Sequence, residues 1–229
     1  MSGSKSAAEV RIGYIEAMGH DLGELFYAAW NELTWVHWRW KQYRTLFVEK
    51  QSRIDLLSKA APLFFHIIHD VFFEDTLLAI ARLVGPPQSV NKSNLTVARF
   101  PPLLKDVNLR GDVCSLIQKA KASAAFAVEW RNRRIAHRDL DLILRRSQLA
   151  LAPATPAQVE ASLSALQDVL KRIETELCDA STVYDSPTHG DAEALLYVIR
   201  DGLQWDRDRC ERLKRGELQD EDMKPPEAL

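Results

Sequence analysis

The 229-residue chain has 30 Lys and Arg residues against 32 Asp and Glu residues, so its net charge of -2 limits any nucleic-acid contact to a local basic patch. Its apolar content of 46% is enough to bury a core, yet no apolar run is long enough to span a bilayer, and we expect no signal peptide. Three widely spaced cysteines favour free thiols in a reducing compartment, so the composition predicts a soluble, cytoplasmic protein.

The spacing of the glycine residues predicts an all-α fold. No glycine occurs between Gly23 and Gly85, or between Gly111 and Gly190. Strand-rich domains need turn residues far more often than this, so these gaps indicate long helices. We expect an antiparallel helical bundle that forms a single domain over residues 1–216.

The first strong helical pattern covers residues 20–47. Its apolar stripe consists of Phe26, Trp30, Leu33, Val36, Trp40 and Phe47. Trp30 and Trp40 are therefore expected in the core. Trp35 and Trp38 lie off this stripe, and we predict that they contact another helix or the partner chain of a dimer.

A second helical segment is predicted to begin near Ser52, where an acidic residue three positions later resembles a helix-capping pattern. Pro62 is expected to kink this helix, and the Gly-Pro-Pro sequence at residues 85–87 is expected to end it. The polar stretch at residues 88–102 is predicted to be a loop with one short helical turn.

Three more helices are predicted, at about residues 112–137, 156–180 and 191–215. The second of them has the clearest beginning, because Thr155 and Gln158 form a capping box around Pro156 at the first helical position. The tail at residues 217–229 is acidic and contains proline, so we predict that it is disordered.

The segment RNRRIAHRDLD, at residues 131–141, surrounds His137 with arginines. On a continuous helix Arg133 and Arg134 lie one turn before the imidazole, whereas Arg131, six residues back, lies roughly 120° around the helix. If Arg131 acts together with His137, we expect the helix to bend or end just before the histidine, unless a partner chain supplies the missing reach.

Clustered arginine beside histidine suits RNA cleavage. Arginine binds phosphate bidentately and stabilises extra negative charge, and histidine exchanges protons near neutral pH. RNA carries its own nucleophile, the 2′-hydroxyl, so this reaction needs no metal. It does need a general base and a general acid, and a two-fold dimer would supply two histidines. Local charge alone also fits a solvated basic helix end, with Asp139 and Asp141 paired to arginines.

The same segment resembles the signature of the HEPN superfamily, the higher eukaryote and prokaryote nucleotide-binding domains. That signature is Arg, a polar residue next, and His after four to six intervening residues, and Arg131, Asn132 and His137 match it. The resemblance extends over residues 15–141 and is closest to the AbiU-like abortive-infection branch. The stretches that carry it are LFYAAWNELTWVHWRWKQYRTLF, RIDLLSKAAPLFFHIIHDVFFEDTLLAIARLVGPP, NKSNLTVARF and RNRRIAHRDLD.

The resemblance implies an all-α HEPN bundle, here with additional C-terminal helices, and a homodimer that brings two motifs together. It implies a metal-independent endoribonuclease without a cofactor, acting on RNA in phage defence or as a toxin, with an antitoxin or other neutralising protein as partner. Because some HEPN domains bind without cleaving, a non-catalytic module that binds RNA or a partner protein is the alternative.

Roles for individual residues follow by position. The resemblance implies that Arg131 stabilises the phosphate, Asn132 orients and His137 is the acid or base. The neighbouring arginines are expected to bind RNA phosphates, and they are Arg133, Arg134 and Arg138. Asp75 and Arg82 match positions of the same branch and are predicted to be supporting residues, as is Asp139. The simplest expectation for Asp75 and Arg82 is a salt bridge to a neighbouring helix.

A third interpretation is a metal-dependent phosphohydrolase of the HD type. His66, His69 and Asp70, with His37 upstream and Asp139 or Asp141 downstream, loosely resemble its order of ligands. The aromatic flanks of these histidines favour structural, hydrogen-bonded side chains instead. The chain also has no pair of Glu-x-x-His motifs, which argues against a di-iron bundle. We therefore predict no metal site.

Overall fold

The fold was obtained as a computed structural model, which describes residues 6–89, 91–135, 151–184, 191–217 and 219–223. Within these ranges the protein is all-α, as predicted. Its helices are α1 Ala7–Met18, α2 His20–Phe47, α3 Gln51–Ala60, α4 Pro62–Leu83, α5 Val107–Ser123, α6 Ala125–Trp130, α7 Pro156–Cys178 and α8 Ala192–Arg215. None of the helices in the described part of the chain combines the length and the apolar character that crossing a membrane requires.

The prediction for α2 is confirmed at both ends, whereas the next helix differs from its prediction. Pro62 separates α3 from α4 instead of kinking one helix, because the residue before a proline avoids the helical conformation and Ala61 has φ -157° and ψ 78°. The predicted start at Ser52 is wrong, since α3 begins at Gln51 without a side-chain cap. The end of α4 just before the Gly-Pro-Pro sequence is confirmed.

The segment after α4 is more ordered than predicted. A short antiparallel hairpin pairs β1, Gln88–Ser89, with β2, Lys92–Ser93. Two 3₁₀ turns follow, at Val97–Arg99 and Pro101–Leu103. The fully buried hydroxyl of Thr96 donates to the carbonyls of Leu83 and Gly85, at 2.9 and 2.8 Å, so it joins this segment to the end of α4.

The predicted helix over residues 112–137 is divided. It begins earlier, at Val107, because the Asp106 side chain accepts a hydrogen bond from the backbone N–H of Leu109 at 2.6 Å. It breaks at Ala124, beside the point where the Ser162 hydroxyl of α7 donates to the carbonyl of Ser123. The break depends on a contact with another helix, so the local sequence did not predict it.

The later helices follow their predictions closely. The capping box at the start of α7 is confirmed, and α8 begins just after Asp191 and ends at Arg215. Two further elements near the ends of the described chain were also not predicted from the sequence. One is α1, which has its own capping box between Ser6 and Glu9. The other is a 3₁₀ turn in the acidic tail, Asp220–Met223.

The helices group into two compact units. The first comprises Met1–Lys41 and Val71–Ser186, and the second comprises Gln42–Asp70 and Pro187–Leu229. In the first unit α5 packs along α7. The fully buried side chains of this unit include Phe26, Leu33, Leu77, Ile80, Phe100, Leu109, Leu163, Leu166, Leu170 and Ile173. In the second unit α3 packs against α8 around Leu46, Leu57, Phe65, Ala192 and Leu196.

A buried polar cluster, here called the Glu174 cluster, ties three parts of the first unit together. The carboxylate of Glu174, which is 3% exposed, accepts hydrogen bonds from the Tyr14 hydroxyl at 2.7 Å and from the Thr182 backbone N–H at 2.7 Å. The Thr182 hydroxyl also donates to it, at 2.8 Å, and accepts the indole N–H of Trp30 at 3.0 Å. Burial raises the pKa of Tyr14 well above its usual value. The cluster therefore joins α1, α2 and the chain after α7.

The expectations for single side chains are met in part. Trp40 is buried as predicted, whereas Trp30 is half-buried, with its indole N–H bonded to Thr182 of the Glu174 cluster. The three cysteines are all free thiols, as predicted.

Candidate functional site

The backbone changes its helical form at the predicted motif. After α6 the chain enters a π-helical turn, Arg131–Ile135, with hydrogen bonds from residue i to residue i+5. Such turns are rare and occur often at functional sites. The helix is therefore not a regular α-helix where Arg131 lies, whereas the expected bend or end just before His137 lies outside the described residues. His137, Arg138, Asp139 and Asp141 lie outside the described residues.

Two of the motif arginines are held by their own chain. Arg133 forms an ion pair with Glu129, one turn earlier, at 3.1 Å. The guanidinium of Arg134 lies over the ring of Trp130, 5.0 Å from its centroid, and forms an ion pair with Glu74 at 3.4 Å. RNA phosphates would have to compete with these carboxylates for Arg133 and Arg134.

Arg131 and Asn132 have a different environment. Both side chains are exposed, and Arg131 donates one hydrogen bond to the amide oxygen of Asn132 at 3.3 Å. In the part of the chain that the structure describes, no carboxylate forms an ion pair with Arg131. Since a guanidinium has five N–H donors in a fixed fork, most of them are available to an anion.

Arg131 lines a cavity of about 430 Å³ in the first unit, here called the Arg131 cavity. Its other lining residues are Glu32, Ala81, Arg82, Leu83, Gly85, Pro86, Ser89, Asn94 and Leu95. The size lies within the range of small-molecule sites. The cavity brings together Arg131 and Arg82, both of which were singled out from the sequence.

The second arginine of this cavity also lacks a partner carboxylate within the described ranges. Arg82 is exposed, and its Nε donates to the carbonyl of Leu78, in its own helix, at 3.3 Å. The expected salt bridge to a neighbouring helix is formed by Asp75, which pairs with Arg39 of α2 at 2.6 Å. Arg82 and Asp75 therefore have different surroundings, although both match positions of the same family branch.

One wall of the Arg131 cavity is fixed by hydrogen bonds. The side-chain amide of Asn94 donates to the Pro86 carbonyl at 3.0 Å and to the Ser89 hydroxyl at 3.1 Å. Arg99 donates to the Pro87 carbonyl at 3.1 Å. With the buried Thr96 hydroxyl, these bonds join residues 86–89 to Asn94 and Arg99, so this wall is supported by the chain's own hydrogen bonds.

Sequence reasoning missed two of the cavity residues, Glu32 and Asn94. Asn94 belongs to the stretch NKSNLTVARF, which carried part of the resemblance, so that stretch offered a signal. Glu32 offered none, because a glutamate in an amphipathic helix is ordinary.

The AbiU2 family model of the HEPN superfamily matches residues 20–197, well over half of the chain. The chain belongs to the AbiU2 family. The HEPN resemblance and the HEPN-type fold predicted from the sequence are confirmed. No curated protein and no solved structure shows significant similarity to the chain.

The AbiU2 match extends beyond the region where we saw the resemblance. It includes α7 and the first residues of α8, for which the sequence offered only helical periodicity. The Arg131 cavity lies entirely within the matched range. Membership of this family indicates a HEPN-type function of the abortive-infection kind.

One of the histidines that suggested a metal site, His69, belongs to a hydrogen-bonded chain in the second unit. The Tyr43 hydroxyl lies 2.9 Å from Nε2 of His69, whose Nδ1 lies 3.0 Å from Asp70. Both ring nitrogens of His69 are thereby engaged by protein groups. Burial, followed by the charge of Asp70, raises the pKa of Tyr43 to about 12. Among the described residues no group of three metal-ligating side chains occurs.

The two tryptophans predicted at an interface are exposed on α2 of the AbiU2 chain. Trp35 is 53% and Trp38 is 37% exposed, and their rings meet edge to face with centroids 5.2 Å apart. Exposed tryptophan pairs are favourable contact surfaces, because a large apolar ring carries one polar N–H group. Their role at a dimer interface stays a prediction.

Proposed function

We propose that this AbiU2 protein is a metal-independent endoribonuclease of a bacterial phage-defence or toxin system. The observation that carries the proposal is the environment of Arg131. The motif arginine is exposed at a cavity that it shares with Arg82, and within the described residues neither is paired with a carboxylate. Two guanidiniums at one cavity, against the single carboxylate of Glu32, favour a ligand with negative charge, such as the phosphate of RNA.

The proposed reaction uses the RNA itself as nucleophile. The 2′-oxygen forms a bond to the adjacent phosphorus while the bond from phosphorus to the 5′-oxygen breaks. A general base takes the proton of the 2′-hydroxyl, and a general acid gives a proton to the departing 5′-oxygen. The products are a 2′,3′-cyclic phosphate and a 5′-hydroxyl end.

Each residue of the motif has a part in this scheme. Arg131 binds the phosphate oxygens and stabilises the extra negative charge of the phosphorane. Asn132, which accepts a hydrogen bond from Arg131, holds that guanidinium in place. His137 transfers protons near neutral pH.

One chain supplies one motif histidine, whereas the scheme needs a base and an acid. The proposed active form is therefore a homodimer that brings two motifs together. The exposed pair Trp35 and Trp38 is its candidate contact surface. Sedimentation velocity should show a dimer for the natural protein. The variant with both tryptophans changed to alanine should sediment as a monomer and lose cleavage, and a monomeric natural protein that cleaves RNA would contradict the dimer.

Incubation of the purified protein with RNA in excess EDTA tests the reaction. We expect cleavage with cyclic-phosphate ends, and a loss of about 10²–10⁴-fold in rate for His137→Ala. Arg207→Ala, which changes an exposed arginine of α8, is the control and should cleave normally. Binding of RNA without cleavage would refute the enzyme and support the non-catalytic module. Cleavage that requires added metal and survives His137→Ala would also refute it.

A further inference from the structure

The Arg131 cavity holds chemical groups that phosphate binding alone does not use. Besides its two arginines, the cavity is lined by a single carboxylate, that of Glu32. It also has an apolar surface, formed by Ala81, Leu83, Pro86 and Leu95. A phosphate would engage the arginines, whereas a flat apolar body would cover the apolar surface. A nucleotide has both parts, and its base carries polar groups along one edge.

The carboxylate of Glu32 has acceptor capacity left for a ligand. Its ion pair with Arg39 is long, at 4.0 Å. Arg39 instead binds Asp75 at 2.6 Å. An ionised carboxylate only accepts hydrogen bonds, so the group that meets Glu32 has to present N–H or O–H donors, and on a nucleotide base these are N–H groups.

The bases of RNA differ in what they offer to such an acceptor. Guanine presents two adjacent donors, its ring N1–H and its exocyclic amino group. Adenine and cytosine present an amino group next to a ring acceptor, and uracil presents one ring N–H between two carbonyls. A carboxylate therefore favours guanine most and uracil least, because only guanine can donate to both of its oxygens.

The side-chain amide of Asn94 does not compete with Glu32 for the base. Both hydrogen bonds donated by its side-chain amide go to the hairpin segment, at 3.0 and 3.1 Å. Its bonds and those of Thr96 support the cavity wall, which lowers the entropy cost of binding a single nucleotide.

We propose that the Arg131 cavity holds one unpaired guanosine of the RNA, with Glu32 reading its base and Arg82 and Arg131 binding its phosphate. This inference rests on the proposed ribonuclease function and names the substrate preference of that site. Glu32 is a specificity residue in this arrangement and takes no part in proton transfer. Cleavage is thus directed to a phosphate beside a single-stranded guanosine.

The matched variant is Glu32→Gln, which keeps the shape of the side chain and replaces one acceptor by a donor. Glu16→Gln, an exposed position of α1, is the control. Substrates are four unstructured RNAs that differ only in the base of one central nucleotide. We expect the natural protein and the control to cleave the guanosine RNA at least about tenfold faster than the uridine RNA, and Glu32→Gln to lose this preference.

A binding measurement separates this inference from the reaction itself. Calorimetry with guanosine 3′-monophosphate and uridine 3′-monophosphate should show at least about tenfold tighter binding of the guanine nucleotide, lost in Glu32→Gln. Absence of RNA cleavage together with this preference would overturn the reaction and leave the cavity assignment intact. Cleavage with equal rates for all four bases, or a preference that Glu32→Gln leaves unchanged, would overturn the assignment. Glu32→Ala repeats the test if Glu32→Gln does not fold.

Discussion

Two polar regions of the first unit differ in how their charges are satisfied. In the Glu174 cluster the carboxylate is almost fully buried and accepts three hydrogen bonds of 2.7 to 2.8 Å from Tyr14 and Thr182. At the Arg131 cavity, Arg82 and Arg131 are exposed and, within the residues described, unpaired with any carboxylate. In the Glu174 cluster the polar groups bond to one another, whereas at the Arg131 cavity the two guanidiniums are exposed to the cavity.

This difference separates stability from function. A buried polar group destabilises the fold unless it is hydrogen-bonded, so a structural cluster has its partners within the chain. The two guanidiniums at the cavity repel each other, which does not favour folding, but a bound anion would be attracted to both. The contrast also exists within the motif, since Arg133 and Arg134 have protein partners whereas Arg131 faces the cavity.

The largest effect is expected for Arg131→Ala. Removing the guanidinium should lower the rate of RNA cleavage by about 10²–10³-fold, because charge in the transition state loses its partner. The free energy of unfolding should change by no more than about 0.5 kcal/mol, as at other exposed positions. Single-turnover cleavage and urea unfolding measure the two quantities. If stability fell as steeply as activity, Arg131 would belong with the structural groups and the contrast would fail.

The opposite pattern is expected for Glu174→Ala. This change leaves the Tyr14 hydroxyl and the Thr182 N–H buried without their acceptor, so the free energy of unfolding should fall by about 2–4 kcal/mol. Under conditions where the variant is folded, its preference among RNA bases should equal that of the natural protein. Urea unfolding measures the first quantity, with Glu16→Ala as an exposed control. An unchanged unfolding midpoint would show that the cluster is not a structural anchor.

Thr96→Val tests a residue that combines the two properties. Thr96 is buried, like Glu174, and it supports the wall of the Arg131 cavity. The variant keeps the shape and loses the hydrogen bonds to the Leu83 and Gly85 carbonyls. We expect a loss of about 1–3 kcal/mol in the free energy of unfolding. A less ordered wall should also weaken the binding of guanosine 3′-monophosphate, and calorimetry measures this affinity. A stability loss with unchanged nucleotide affinity would show that the wall does not position the ligand.

The smallest effect concerns an ion pair in the second unit. Hydrogen bonds from Arg212, and from the backbone of Gln219, lower the pKa of Asp222 to about 2. A carboxyl whose pKa is lower in the folded state stabilises the fold above its unfolded pKa of about 4, and this contribution is lost as the pH falls from about 4 to 2. Urea unfolding at several pH values should show a smaller decrease in this range for Asp222→Asn than for the natural protein. Identical pH profiles would contradict the pair.

The sequence predicted those features that depend on local pattern. The bounds of α2 follow from its apolar stripe, and the start of α7 follows from its capping box. The motif residues Arg131 and Asn132 were found by resemblance alone. The break at Ala124 and the π-helical turn were not predicted, because one depends on contact with Ser162 of α7 and the other has no simple local signal.

The cavity could not be predicted as a unit. Glu32, Arg82 and Arg131 come from three elements that are distant in the sequence, and only the packing of the helices brings them to one surface. The resemblance named two of them. Glu32, the residue that distinguishes base recognition from phosphate binding, became visible only with the tertiary structure.

The π-helical turn at Arg131–Ile135 has a consequence for the length of the motif. A ring closed from residue i to residue i+5 contains one residue more than an α-helical ring, so such a turn takes up a single added residue without moving the helix before it. Removing one residue from this turn would return it to α-helical form, with hydrogen bonds from residue i to residue i+4. The motif can therefore gain or lose one residue at this turn while α6 keeps its place.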